Sequence, residues 1–290
     1  MSRLSLHAAP LHIGSLVEEH IFNAKETVIL TSATLRTAAP GYERESNFDY
    51  LRSRLQADHV DDLAVGSPFD YKNSTLLLLP TDMPEPNQPG YQRSVEQAIA
   101  DIAKGVGGRT LALFTSYNQL NATAKAIAPG LHLQGISILS QSERVSRQRL
   151  LEQFKEQESP SILLGTRSFW EGIDVPGPAL QVVVIVKLPF DVPSDPIVAA
   201  RSETFDSPFF EYTIPEAVLR FRQGFGRLIR RQDDEGIVLV LDKRVLTKRY
   251  GQAFLDALPE CTVLRQRLDR IEEIGRRWLN RERQGDFRTR

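Results

Sequence analysis

The stretch Gln223-Gly224-Phe225-Gly226-Arg227-Leu228-Ile229-Arg230-Arg231 decides how this chain is read. It continues a run with helical periodicity that begins at Pro215, so its first residues fall on a helix. Gln223, Arg227 and Arg230 stand at i, i+4 and i+7, a spacing that predicts one amide and two guanidiniums on a single helical face. A guanidinium keeps its charge and matches phosphate oxygens two at a time, so two such forks aimed together suit a polyanion. A solvated basic face is the plain alternative for two arginines alone. Gly226 bears on that choice. Inside a helix glycine costs about 1 kcal/mol against alanine, so its presence predicts a close backbone approach.

A second glycine-rich stretch lies upstream, Gly165-Thr166-Arg167-Ser168-Phe169-Trp170-Glu171-Gly172-Ile173-Asp174-Val175-Pro176-Gly177. The string from Gln223 to Arg230 resembles motif VI of superfamily 2 helicases, in the form of the DinG/XPD-like branch, and the upstream string resembles motif V of the same branch. The resemblance implies that Arg227 and Arg230 are catalytic, reaching the γ-phosphate of ATP from across a cleft, one of them as an arginine finger. It implies that Glu171, Gly172, Asp174, Gln223 and Gly226 line the ATP side, and that Thr166, Arg167 and Ser168 face nucleic acid. Phe169 and Trp170 either meet a base or pack; for Trp170 packing is preferred, because large aromatics more often belong to a core.

Four further stretches carry the same resemblance. Thr31-Ser32-Ala33-Thr34-Leu35 is similar to motif III, which puts Ser32 and Thr34 among the nucleic-acid-binding residues. Read from the residues alone, it is an ordinary strand exit rich in hydroxyls. Thr115-Ser116-Tyr117 is similar to motif IV, whose hydroxyls contact the nucleic-acid backbone in related helicases. Hydroxyls between a strand and a helix N-terminus make an anion site, and Ser116 also suits a helix N-cap. Gly66-Ser67-Pro68-Phe69-Asp70-Tyr71 and the proline-bearing loop 188–196 also look DinG-like.

Composition bounds the rest. The chain has 290 residues, 41% apolar and 25% charged, values of an ordinary globular protein. A formal net charge of −1 gives no global pull on nucleic acid, so such a surface would be a local patch. Cys261 is the only cysteine, which excludes a disulfide framework and a thiolate zinc or iron–sulfur site built from this chain alone. The five histidines fall in no catalytic or metal pattern. No run of about 18 apolar residues and no signal-peptide pattern is present, so a cytoplasmic protein without membrane contact is expected.

Apolar periodicity predicts helices at 11–24, 49–55, 91–104, through Leu120 and Ala124 directly after Tyr117, at 144–155, from Pro215, at 243–258 and at 263–283. Buried strands are predicted at 27–30, 74–79, 110–114, 136–139, 161–164, 180–186 and, as the last, 236–242. Strand alternating with helix predicts an α/β fold, a mainly parallel sheet covered on both faces. With the resemblance, that is a RecA-like second helicase domain. One domain over 1–290 is expected, with 1–26 as a lead-in helix and 284–290 as a frayed tail.

The sequence holds no G-x-x-x-x-G-K-[ST] phosphate loop. Gly105-Val106-Gly107-Gly108-Arg109-Thr110 lacks the lysine and precedes a strand instead of following one. Neither Asp61-Asp62 nor Asp233-Asp234-Glu235 follows an apolar strand as a magnesium-binding motif II does. The expectation is therefore the C-terminal half of an ATP-dependent DNA helicase of the 5′-to-3′ DinG/XPD type, inactive alone. ATP and Mg2+ would be held mainly by an N-terminal motor domain of the same protein, with any iron–sulfur cluster upstream. Its partners would be that domain and single-stranded DNA, RNA not being excluded by the sequence; the family implies DNA repair. A non-catalytic single-stranded nucleic-acid-binding module with a RecA-like fold is the alternative.

Overall fold

A computed structural model describes residues 8–32, 48–141, 145–156, 160–170, 175 and 177–280. It divides the chain into two compact units, residues 1–66 with 189–219, and residues 67–188 with 220–290.

The second unit is built on a seven-stranded sheet in the order β3-β4-β2-β5-β6-β1-β7. The strands are β1 (Thr75–Pro80), β2 (Thr110–Leu113), β3 (Ser137–Ser140), β4 (Ser161–Gly165), β5 (Val182–Ile185), β6 (Gly236–Val240) and β7 (Thr262–Gln266). Every pairing is parallel. Parallel strands need crossover connections, so helices cover the faces and the central strands are apolar throughout. Thr75-Leu76-Leu77-Leu78-Leu79-Pro80 and Val182-Val183-Val184-Ile185 are buried at every position. This is the expected RecA-like α/β fold.

Helices α1 (Tyr91–Val106), α2 (Tyr117–His132) and α3 (Arg147–Glu156) follow β1, β2 and β3. Helix α4 (Ile214–Phe225) precedes β6, and α5 (Ile271–Leu279) follows β7. α5 crosses α1 at two glycines. A Cβ on Gly275 would stand 2.7 Å from Ile102 Cδ1, and one on Gly105 would stand 2.5 Å from the Glu272 carbonyl oxygen. That approach lets Ile271 and Trp278 sink fully among Val95, Ile99 and Ile102 in the core.

Three expectations are corrected. Residues 27–30 form no strand; Ile29 is 80% exposed. A strand exists only through a hydrogen-bonded neighbour, and the described residues supply none for this run. Residues 236–242 are not the last strand either, because β7 follows at residues expected to open the C-terminal helix. β7 lies at the sheet edge and its burial alternates along Thr262–Gln266, with one face half-buried and the other exposed. The helix expected at 243–258 is two short ones, Arg244–Thr247 and Gly251–Asp256, parted by extended Lys248. The tail at 284–290 lies outside the described residues.

The first unit is helical among its described residues. Gly14–Val17 runs into a π-helical turn, Glu18–Phe22, within the expected lead-in helix. Asp49–Leu55 brings the Tyr50 hydroxyl to donate to Glu216 Oε1 at 2.5 Å, and burial with the adjacent carboxylate pushes the Tyr50 phenol well up. Pro196–Ser202 is capped by Asp195, whose carboxylate accepts from the Ile197 and Val198 amides. Phe205 stacks on Tyr212, with centroids 5.4 Å apart.

Candidate functional site

In a parallel α/β sheet, ligands gather beyond the carboxyl ends of the strands. β2 delivers Thr115, Ser116 and Tyr117 there, β4 delivers Thr166, Arg167 and Ser168, and β3 delivers Gln141. Since β3, β4 and β2 are neighbours, these turns meet. Gln141 lies at their centre. Its Oε1 accepts from the Thr166 amide at 2.7 Å and from Thr166 Oγ1 at 2.9 Å. Its Nε2 donates to the Tyr117 hydroxyl at 2.9 Å and to Ser168 Oγ at 3.0 Å. All four bonds join the two motif turns through one side chain that sequence reading passed over. The available signal was its place directly after a parallel strand.

Thr115, Tyr117, Arg167 and Ser168 are exposed, whereas Thr166 is buried. Ser116 is half-buried, and its Oγ accepts from the Gln119 amide at 3.5 Å as the N-cap of α2. Phe169 and Trp170 are both core residues, and Trp170 Nε1 donates to the Phe114 carbonyl at 3.3 Å. Ser32 is exposed in the first unit. Thr34, Glu171, Gly172 and Asp174 lie outside the described residues.

The motif VI residues are arranged differently from the spacing's expectation. α4 ends at Phe225, so Arg227 and Arg230 lie beyond it and share no helical face with Gln223. The cause is local. The amides of Arg227 and Leu228 each reach back only three residues, to Gly224 and Phe225, and Leu228 and Ile229 turn into the core. Arg227 is nonetheless tied to the helix end: its Nε donates to the Gln223 carbonyl at 3.1 Å and to the Trp170 carbonyl at 3.0 Å. The close approach expected of Gly226 belongs to Gly224. A Cβ there would meet Trp170 at 2.9 Å and Leu113 at 3.3 Å, while one on Gly226 would meet only its own turn, the Arg222 carbonyl at 3.3 Å. Gln223 Oε1 is buried with no hydrogen-bond partner among the described residues.

Asp234 fastens the two glycine-rich stretches together. Only 8% exposed, it accepts from the Gly177 amide at 3.1 Å and from the amides of Arg230 and Arg231 at 2.8 Å each. Ahead of β1, Tyr71 packs on Phe225 with centroids 5.8 Å apart, which gives the signature 66–71 its aromatic anchor. Burial pushes the Tyr71 phenol up, against the pull of Ser67, Arg230 and Arg222. Asp242, fully buried after β6, accepts from Leu188 N at 2.9 Å and from Arg244 Nη2 at 2.6 Å.

These carboxylates do not fit Mg2+. Both oxygens of Asp234 and of Asp242 are already engaged by N–H donors, and a cation would have to displace them. Among the described residues no group of three or more His, Cys, Asp or Glu side chains could hold a metal. No helix among them is long and apolar enough to cross a membrane.

The family of helicase C-terminal domains matches residues 99–261, more than half of the chain. The chain is 36% identical over 270 residues to a Bacillus subtilis protein named 3′-5′ exonuclease DinG, covering 90% of this chain and 28% of that protein. It is 36% identical over 264 residues to the Haemophilus influenzae ATP-dependent DNA helicase YoaA, covering 90% of this chain and 39% of that protein. The chain thus spans well under half the length of these relatives. A solved XPD helicase superposes with a TM-score of 0.63 at 18% identity, covering 88% of this chain and 45% of that one, which shows a shared fold. By the family match over more than half of its length, its motifs and its 36% identity to the DinG and YoaA proteins, the chain belongs to the helicase C-terminal domains of the DinG/XPD-like kind.

Proposed function

We propose that the chain acts as one domain, the second motor domain of an ATP-dependent DNA helicase that steps 5′-to-3′ along single-stranded DNA, and that it turns over no ATP alone. The observation that carries this reading is the bracing of Arg227. Its Nε is spent on two backbone carbonyls, one from each glycine-rich stretch, which fixes the plane of the guanidinium and the direction of its terminal nitrogens. A fork held before substrate arrives reorganises little in the transition state, when charge spreads over the γ-phosphoryl oxygens.

In this reading Arg227 and Arg230 face the triphosphate as water attacks the γ-phosphorus and its bond to the β–γ bridging oxygen breaks. Asp234 keeps Arg230 and Gly177 in register, so movement of the motif VI turn is passed to motif V. Gln223, Gly226, Glu171, Gly172 and Asp174 line the nucleotide. Tyr117, Ser168, Arg167, Thr115 and Ser116 face the strand, and the motif III resemblance alone assigns Ser32 and Thr34 to the nucleic acid. Magnesium and the phosphate loop are assigned to a preceding motor domain, since the carboxylates described here are taken. The relatives' names support ATP and DNA as the substrates; the 5′-to-3′ direction rests on the motif resemblance.

Arg227→Ala in the full-length helicase is expected to lower DNA-stimulated kcat for ATP about 10³-fold, the scale of an arginine finger, with little change in DNA affinity. ATP turnover near wild type would remove Arg227 from the mechanism.

A further inference from the structure

We propose that Gln141 is a positioning residue that presets the Tyr117 and Ser168 hydroxyls as an outward-facing donor pair for a backbone phosphate of bound nucleic acid. The inference rests on the nucleic-acid reading of these two turns and adds a residue and a hydrogen-bond polarity to it.

The argument is one of donors and acceptors. A backbone amide can only donate, so the atom of Gln141 that meets the Thr166 amide must be its oxygen. That contact fixes the amide orientation, which geometry alone often leaves open. The Thr166 hydroxyl meets the same oxygen and must give its proton to it. Thr166 is buried and its proton is used; it is a tether between Gln141 and motif V and donates nothing outward.

On its other side Gln141 presents an NH2 group, which can only donate. Tyr117 and Ser168 therefore accept there, and their own protons must point elsewhere. Both residues are exposed, Tyr117 by 51%. The outcome is two hydroxyl donors, one from each motif turn, bound to the same nitrogen and free to serve an acceptor-only ligand. A phosphodiester offers non-bridging oxygens that only accept, so it fits the pair, and exposed Arg167 beside Ser168 adds charge of the right sign. Contacts of this kind carry no base information, so the pair holds the strand without regard to sequence.

The test is binding of a fluorescent oligothymidylate to the 290-residue chain by anisotropy, for wild type, Gln141→Met, Tyr117→Phe/Ser168→Ala and the triple variant. Met keeps the volume and removes both polarities. Gln141→Met and the double variant are each expected to weaken binding about 10-fold, and the triple variant is expected to be no weaker than the double. If Gln141→Met costs the same factor in the double-variant background as in wild type, the residue acts through general structure and the proposal fails. The double variant alters exposed hydroxyls and keeps the fold, so wild-type affinity there overturns the proposal whatever Gln141→Met does. No binding by wild type would overturn the nucleic-acid reading itself, a result distinct from binding that ignores these substitutions.

Discussion

Asp234 concentrates three backbone amides, one from the motif V stretch and two from the motif VI stretch, on one carboxylate. Hydrogen bonds to a charged acceptor contribute about 1.5–3 kcal/mol each, and a buried donor left unpaired costs about 1–3 kcal/mol. Asp234→Asn keeps one acceptor and turns an NH2 toward an amide on the other side. A loss of roughly 2–3 kcal/mol in urea unfolding is expected; a change below about 0.5 kcal/mol would mean the three bonds are not formed in solution. In the sequence Asp234 sits in a polar turn between Asp233 and Glu235, with nothing to mark which carboxylate turns inward. Gln141 was illegible for a related reason. A glutamine shows its function only when two donors and two acceptors from distant segments surround it.

Among the elements, the central strands were legible because burial on both faces demands uninterrupted apolar residues, as at Leu76–Leu79 and Val182–Ile185. β7 was misread because only one of its faces is half-buried, and Val263 and Arg265 are outward residues that a helix pattern absorbs equally well. The end of α4 was misread because i, i+4, i+7 spacing assumes the helix continues. It stops where Leu228 and Ile229 turn inward for the core. The same helix carries a sharp prediction at Gly224, where the ring of Trp170 lies too close for a methyl group. Gly224→Ala is expected to destabilise by about 1–3 kcal/mol, the usual range for overpacking, despite alanine's better helix propensity. Thermal unfolding at or above the wild-type midpoint would contradict the packing described here. Gly226→Ala, facing only its own turn, should be milder.

At the scale of the molecule, the fold sets strand ends side by side and so brings together residues far apart in sequence. Tyr117, Gln141, Thr166 and Ser168 meet because β2, β4 and β3 are neighbours. The motif strings singled out the residue types to which the proposed chemistry is assigned. They could not tell that Thr166 is spent inward, or that Arg227 is braced by a carbonyl of the other stretch. Both facts depend on the sheet order, which local patterning does not encode.

The most direct test is DNA-stimulated ATP hydrolysis by this chain alone and by the full-length protein, where the proposal places a phosphate-loop domain ahead of it. The expected result is turnover only in the full-length motor, lost on Arg227→Ala. Turnover by the chain alone would contradict the account, because a complete ATP site would then lie within these 290 residues.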